Sequence, residues 1–190
     1  MSKKVAILIA DGASAWDVCY TNWRCQEAGL TPVSVGTQKK HVYSLWTGGG
    51  LHGWSVGGGQ PVTLEAGAPC WPVECLIDSC KPNDFDALFI PSGCAVDWMR
   101  DSQDCLKFVK EMAAANKPCG AIGRGVALFA IANCCKGATV TGPRSIKPLM
   151  QTAGCEMVDK DCCHEKSFVT CRSSEDIPAF MSTFMKVCCK

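Results

Sequence analysis

Hydrophobic residues occur along this chain in short uninterrupted runs, separated by segments in which apolar positions recur with helical spacing. The run from Val5 to Ala10 is apolar throughout, which is typical of a strand buried on both faces of a parallel sheet. It leads through Asp11-Gly12 into an amphipathic segment from about Trp16 to Ala28, closed by Gly29. Strands that alternate with amphipathic helices predict an α/β fold with a doubly wound, mostly parallel sheet sandwiched by helices.

The same alternation continues to the end of the chain. It predicts further strands at 31–36, 85–90, 118–122 and 138–141, a hairpin near 155–171, and helices at 102–115, about 125–133, 145–153 and 176–187. The segment from Tyr43 to Val62 is rich in glycine and predicts a small β-excursion. Because no repeat or linker interrupts the 190 residues, we expect 1–190 to form a single domain with a proper core.

The charge balance and the apolar runs give no indication of nucleic-acid or membrane binding. The chain has 19 Lys and Arg against 18 Asp and Glu, a formal net charge of +1. This balance gives no reason to expect binding to nucleic acid or to an anionic membrane. The apolar run that begins at Val5 is too short for a signal peptide or a membrane span, so we expect a cytoplasmic protein.

The 16 cysteines are numerous but show no recognisable ligand spacing. No C-x-x-C occurs, and a secreted disulfide scaffold would be shorter and lack the α/β pattern. We interpret most of them as small buried hydrophobes in a reducing compartment, with metal binding or redox sensing left as alternatives. No metal or other cofactor is expected.

One segment has the pattern of a nucleophile elbow. The apolar stretch 117–122 reads as a short buried strand, Gly123 and Gly125 bound a sharp turn, and a helix begins directly afterwards. An elbow lifts one side chain out of a strained backbone position toward the substrate. Here that position is Gly123, which has no side chain.

This segment resembles the elbow of the PfpI-like intracellular protease/amidase family, a branch of the class I glutamine amidotransferase-like superfamily. The first ten positions of the family pattern K-P-V-A-A-I-C-H-G-P-x-x-L correspond to Lys117 through Val126, and a leucine follows at Leu128. Five more segments resemble family motifs in the same order: 5–12, 84–93, 136–141, 153–159, and 169–172 with 176–180. Such a series is strong evidence for fold and weak evidence for chemistry.

The resemblance implies a flavodoxin-like fold, a tendency to form homo-oligomers, and thiol-dependent chemistry on small dicarbonyls, peptides or amides. In this comparison Gly123 replaces the nucleophilic Cys, and Arg124 replaces the His that follows it. The family activity needs a thiolate at the elbow. We therefore predict that thiol-dependent glyoxalase or amidase activity is absent.

Asp17 and Arg124 are the candidate catalytic residues. Asp17 matches the family acid that bonds the thiol, so it has either a retained acid/base role or the role of an exposed first-turn acid at a helix N-terminus. Arg124 follows Gly123 at the elbow. It is expected either to pair with Asp17 or to bind a substrate carboxylate or phosphate through its planar guanidinium.

Other positions are candidates for substrate binding. The resemblance implies that Gly93 and the amide of Arg124 form an oxyanion hole, with Gly123 and Gly125 as the elbow backbone. Cys94 is either a migrated nucleophile or an ordinary cysteine. Trp16 and Trp98 are either pocket walls or core residues, and His52 is either a structural histidine or a base.

Two classes of function remain open at this point, both with a small-molecule ligand. The first is an enzyme with relocated acid/base chemistry, of lyase, hydratase, isomerase or cyclase type, acting on a small carbonyl or carboxylate compound. The second is a non-catalytic binding or stress-related protein; a Cys94-dependent hydrolase or glyoxalase is a further alternative. A third alternative is an engineered variant of an active parent. Ser14 and Ala15 also differ from the family pattern, which favours natural divergence over engineering.

Overall fold

The computed structural model describes residues 2–46 and 70–190, and its centre is a seven-stranded sheet. The strand order is β11-β12-β8-β7-β1-β3-β6, and all neighbours are parallel except β11 and β12. These strands are β1 (Lys4–Ile9), β3 (Thr31–Gly36), β6 (Cys75–Leu76), β7 (Ala87–Ile90), β8 (Cys119–Ile122), β11 (Cys162–Glu165) and β12 (Phe168–Cys171). The predicted parallel α/β fold is confirmed.

Helices flank this sheet in two groups. Helix α1 contacts α6, which also contacts β11 and β12, whereas α3 contacts α2, α4 and β7. On β7, Phe89 packs against Phe180 and Phe184 of α6. The helices are α1 (Ala15–Glu27), α2 (Ala95–Asp101), α3 (Gln103–Ala114), α4 (Ala127–Ile131), α5 (Lys147–Thr152) and α6 (Ile177–Cys188).

The remaining strands form two small sheets. Strand β2 (Ala13–Ser14) pairs with β4 (Val42–Trp46), which pairs in turn with β5 (Cys70–Pro72). Strands β9 (Thr139–Val140) and β10 (Glu156–Met157) pair in parallel. The predicted β-excursion thus begins with β4, and the rest of it lies outside the described residues.

Local sequence explains the element that leads into the site. Val5 through Ile9 are fully buried, as expected for a central parallel strand covered on both faces. Ser14 is the N-cap of α1 and accepts a hydrogen bond from the backbone N–H of Asp17. Gly29 ends the helix with a φ of +74°, a conformation that glycine adopts without strain.

The structure differs from the sequence prediction in two helical segments. Residues 95–101 form the short helix α2, where the sequence predicted only a turn before the helix at 102–115. At the elbow, a 3₁₀ turn over Gly123–Val126 precedes α4, so the regular helix begins later than predicted. Both differences lie where tight turns meet the sheet, and tertiary packing decides the backbone there.

The strand order identifies where a ligand would bind. From β1 the chain moves to β3 and β6 on one side, and later to β7, β8 and β12 on the other. In open α/β sheets, ligands bind outside the carboxyl ends of the strands at such a reversal. Here that point is the crevice after β1 and β7.

Candidate active site

Two glycine turns interlock at the carboxyl ends of β1 and β7. The N–H of Ser14 donates to the carbonyl of Ser92, and the N–H of Cys94 donates to the carbonyl of Gly12. Gly93 has a φ of +97°, and a Cβ built on it would lie only 2.3 Å from the Gly12 oxygen. Only glycine permits this approach.

The elbow turn packs against the same place. Gly123 has a φ of +55°, a conformation that is strained for residues with a side chain, as expected at an elbow. A Cβ on Gly125 would lie 2.6 Å from the carbonyl oxygen of Pro91. The elbow backbone therefore packs closely against the turn after β7, and three turns meet at this place.

Asp17 lies fully buried beneath these turns. Its Oδ2 accepts hydrogen bonds from the Ser92 N–H at 2.8 Å and from the Ser92 hydroxyl at 2.5 Å, and its Oδ1 accepts one from the Ser174 hydroxyl at 2.7 Å. The alternative of an exposed first-turn acid is wrong. Asp17 lies on the buried side of the first turn of α1, and burial of the carboxyl is tolerated because both oxygens have donors.

Burial dominates the electrostatics of Asp17. Loss of water raises its pKa above the ordinary value of 3.8, and the hydrogen bonds from the serine groups oppose this only in part. A carboxyl held in this way keeps its proton to a higher pH than an exposed aspartate. It is also a stronger base once it has lost that proton.

We predict that this pKa shift makes wild-type stability depend on pH in a direction unusual for a carboxyl. Because the folded pKa lies above the unfolded one, the folded state binds more protons between them, and the free energy of unfolding falls as pH rises. The loss begins near the unfolded value of about 4 and ends above the raised folded pKa. Urea denaturation at intervals from pH 4 to 7 should show wild type losing stability relative to Asp17→Asn; a constant difference would contradict the prediction.

A cluster of charges holds the segment that contains Ser174. Arg172 donates to both carboxylate oxygens of Asp176, at 2.9 and 3.1 Å, and also pairs with Asp159 and Asp161. These contacts fix the turn between β12 and α6. Ser174 therefore reaches Asp17 from a part of the chain 157 residues away.

Arg124 does not pair with Asp17. Its guanidinium donates to both carboxylate oxygens of Asp97 on α2, at 3.1 and 3.2 Å, and its side chain is 47% exposed. The predicted Asp17–Arg124 pair is thus wrong, because Arg124 projects outward along the turn while Asp17 lies beneath it. The two predicted catalytic side chains occupy the same region but belong to separate networks.

The two predicted pocket tryptophans lie on the surface. Trp16 is 65% exposed and Trp98 is 52% exposed. The core interpretation of these residues is therefore wrong. Each lies beside a charged residue of the site, Trp16 next to Asp17 in sequence and Trp98 next to Asp97.

The remaining candidates are only partly brought together. Cys94 is half-buried in the turn after β7, but the hydrogen bonds of the Asp17 carboxyl come from Ser92 and Ser174 and not from its thiol. His41 and His164 are exposed. His52 lies outside the described residues.

Fewer cysteines are fully buried in the core than predicted. Seven are buried, seven are half-buried and two are exposed, so the expectation that most are buried is wrong. Four of the half-buried ones still pack against the hydrophobic core: Cys75, Cys80, Cys134 and Cys162. Within residues 2–46 and 70–190, no three His, Cys, Asp or Glu side chains are grouped to hold a metal ion.

Sequence reasoning missed three residues of this site. None of Ser92, Ser174 and Asp97 was among the predicted site residues. Ser92 carried a usable signal, because a polar side chain replaces glycine directly after a buried strand. Ser174 and Asp97 carried none, since their partners are distant in sequence.

Comparison with known proteins gives a consistent assignment. The model of the DJ-1/PfpI family matches residues 3–187. General stress protein 18 of Bacillus subtilis is 36% identical over 124 residues, covering 64% of this chain and 72% of that protein. A deglycase of Thermococcus kodakarensis is 27% identical over 184 residues, covering 97% of this chain and 98% of that protein.

Solved structures agree on the fold. DJ-1β of Drosophila melanogaster superposes with a TM-score of 0.81 at 16% identity, covering all of this chain and 92% of the other. A two-domain protein from Anabaena variabilis, with DJ-1/ThiJ/PfpI-like and ferritin-like domains, gives 0.81 at 23% identity over 97% of this chain. This chain spans about half of that protein, 48% of its length.

In the part of the chain that the structure describes, no helix is long and apolar enough to cross a membrane. The family match covers almost the whole sequence, and the sheet order and turn geometry agree with it. The chain belongs to the DJ-1/PfpI family.

Proposed function

We propose that this protein acts on a small carbonyl or carboxylate compound by acid–base chemistry that needs no elbow thiol. The reaction would be of lyase, hydratase, isomerase or cyclase type. The main support is Asp17: a fully buried carboxyl with a raised pKa lies at the strand reversal, directly beneath the elbow. Perturbed carboxyls in such places are characteristic of functional sites.

The residue at the elbow argues for relocated chemistry. Relatives of this chain are named deglycases, and the resemblance implies that the family uses a cysteine where Gly123 stands. A glycine cannot form a covalent adduct through its side chain. Asp17 keeps its hydrogen-bonded position without that thiol, so the acid–base part of the site is intact.

Proton exchange between Asp17 and a ligand requires an intermediary because the carboxyl is fully buried. Its partners Ser92 and Ser174 are both partly exposed. Hydroxyl groups accept and donate protons in the same bond network. In this proposal the amides of Gly93 and Arg124 stabilise negative charge on the ligand oxygen.

A ligand screen tests this function. Small aldehydes, ketones, 2-oxo acids and 2-hydroxy acids would be screened by thermal shift, because a ligand that binds the folded state raises its stability with occupancy. Turnover of the hits would then be followed by NMR. We expect turnover that is retained in Cys94→Ser and lost in Asp17→Asn; the reverse pattern would show thiol chemistry and overturn the proposal.

Arg124 is proposed to bind an anionic group of the ligand at the rim of the site. Its ion pair with Asp97 is exposed, so exchanging that partner costs about 1 kcal/mol or less. We predict that Arg124→Ala weakens ligand binding by about 1.5–3 kcal/mol, the value of a hydrogen bond to a charged group. This corresponds to a rise in KM with little change in kcat.

Arg100→Ala provides the matched control for this measurement, because Arg100 also pairs with Asp97 but belongs to α2 and not to the elbow turn. Steady-state kinetics of both variants should separate the two arginines. Equal KM values for Arg124→Ala and Arg100→Ala would mean that Arg124 does not meet the ligand.

We also propose that the protein forms homo-oligomers through α1. Trp16, Tyr20 and Trp23 share one helix face by their spacing, and Trp16 and Trp23 are 65% and 61% exposed. Exposed aromatic clusters of this kind mark protein contact surfaces. A second copy seated on α1 would lie beside Asp17, as the resemblance implies for this family.

Trp23→Glu is predicted to shift the protein toward a monomer, because a charge on this face opposes its burial. Light scattering at micromolar concentration would report the mass against the chain mass of 20.3 kDa. Leu149→Glu is the control, since Leu149 is also exposed, at 40%, but lies on α5. A wild-type protein that is already monomeric would refute the proposal.

A further inference from the structure

We infer that the Ser92 hydroxyl is the nucleophile of this site, taking the place beside the elbow that a side chain at position 123 would occupy. The ligand it would attack is a small electrophilic carbonyl compound. This inference rests on the proposed function and names the group in it that touches the ligand. Three independent features of Ser92 support it.

The first feature is the space at the elbow. A Cβ built on Gly123 would lie 3.1 Å from the Ser92 Cβ and 3.9 Å from its hydroxyl oxygen. The Ser92 side chain thus fills the volume next to the elbow. A serine at 92 and a longer side chain at 123 would compete for it, so the glycine at 123 makes room for the hydroxyl.

The second feature is the bond to the buried acid. The Ser92 hydroxyl donates to Asp17 at 2.5 Å, and the backbone N–H of Ser92 binds the same oxygen at 2.8 Å. The backbone bond fixes the carboxylate oxygen relative to the hydroxyl. A base held within hydrogen-bond distance of a hydroxyl is the arrangement that activates a serine.

The third feature is access. Asp17 is fully buried, whereas Ser92 is partly exposed. Ser174 bonds the other carboxylate oxygen, but it comes from the turn after β12 and not from the carboxyl end of β7. Ser92 therefore lies at the strand reversal where a ligand binds, with the amide of Gly93 next to it in the chain.

Addition of Ser92 to the carbonyl compound needs no reactant other than the ligand. The Ser92 oxygen forms a bond to the carbonyl carbon, its O–H bond breaks, and the proton passes to Asp17. The π pair of the carbonyl moves to its oxygen, which the nearby amides stabilise. The product is an alkoxide adduct held by these amides, with the proton on Asp17. Reversal of the step returns that proton to the Ser92 oxygen and releases the ligand.

A fluorophosphonate, a serine-directed probe, tests the nucleophile directly. Its phosphorus forms a bond to the Ser92 oxygen, fluoride leaves, and the hydroxyl proton passes to Asp17. Intact mass and peptide mapping should place the label on Ser92. We expect loss of that label in Ser92→Ala and its retention in Ser174→Ala. No label on Ser92 in wild type, or a label on Ser174 in its place, would overturn the inference.

Asp17→Asn provides a second measurement that does not require the Ser92 variant to fold. The labelling rate of Ser92 should fall by about 100-fold or more, the scale of general-base assistance, and should lose its dependence on pH. An unchanged rate would mean that Asp17 does not activate Ser92. Far-ultraviolet circular dichroism of each variant would establish that it is folded.

The same variants separate this inference from the proposed function. If Asp17→Asn abolishes turnover of a carbonyl compound while Ser92→Ala does not, the acid–base function stands and Ser92 is not the nucleophile. If Ser92 is labelled but turnover survives Asp17→Asn, the serine is reactive and the proposed role of Asp17 fails.

Discussion

Gly93→Ala is expected to destabilise the protein by about 3–5 kcal/mol, which is exceptional for the addition of one methyl group. Gly93 has a φ of +97°, and the new Cβ would lie 2.3 Å from the Gly12 carbonyl oxygen. The oxygen is backbone and is held by the Cys94 N–H, so it cannot move aside cheaply. The two turns would have to separate, and β1 and β7 would lose their connection at the site.

Gly29→Ala is the matched control for this effect. Gly29 also has a positive φ, +74°, but nothing lies within 4 Å of the Cβ that would be added. Its cost should be about 1 kcal/mol, the value of left-handed backbone strain alone. Urea denaturation followed by circular dichroism would measure both variants, and equal losses of stability would show that the turns after β1 and β7 are not tightly interlocked.

Asp17→Asn is expected to lower kcat by about 10²–10⁴-fold on the carbonyl compound that the protein turns over, the range of general acid–base catalysis. Asparagine has nearly the same shape as aspartate and still has one oxygen to accept the bonds of Ser92. It cannot take up a proton at neutral pH. Ligand binding should remain nearly intact, because the ligand does not contact the buried carboxyl.

The pH profile distinguishes this role from a purely structural one. In wild type, kcat should rise as Asp17 loses its proton, with the midpoint above the ordinary aspartate value because burial raises the pKa. The Asn variant should show no such rise. If its remaining activity keeps the wild-type profile, another group accepts the proton and the proposed role of Asp17 is wrong.

Groups from several turns hold the buried carboxyl of Asp17 in place. Ser92 and Ser174 satisfy both carboxylate oxygens, and Arg172 with its aspartates fixes the turn that bears Ser174. A buried carboxyl without such donors would cost several kcal/mol. The serines therefore stabilise the acid in place, and their exposure leaves a path from the acid to the solvent side.

The amino-acid sequence by itself determined the fold class and several of the tight turns. The apolar run at β1 favours a strand buried on both faces, and its alternation with amphipathic segments favours a parallel sheet between helices. The glycines at 12, 93 and 123 indicated tight turns, and all three have a positive φ. These features are local, so hydrophobic pattern and turn chemistry were sufficient to predict them.

Only the tertiary structure decided which side chains meet. Pairing of Asp17 with Arg124 was one of two alternatives that the sequence left open, yet Asp17 bonds Ser92 and Ser174, while Arg124 bonds Asp97. Each of these partners comes from a different turn, and the direction of a side chain at a turn depends on backbone angles that sequence pattern does not fix. The sequence did not determine which side chains are buried, for the same reason. Asp17 and Trp16 are adjacent in the first turn of α1. The orientation of that helix on the sheet buries Asp17 and exposes Trp16.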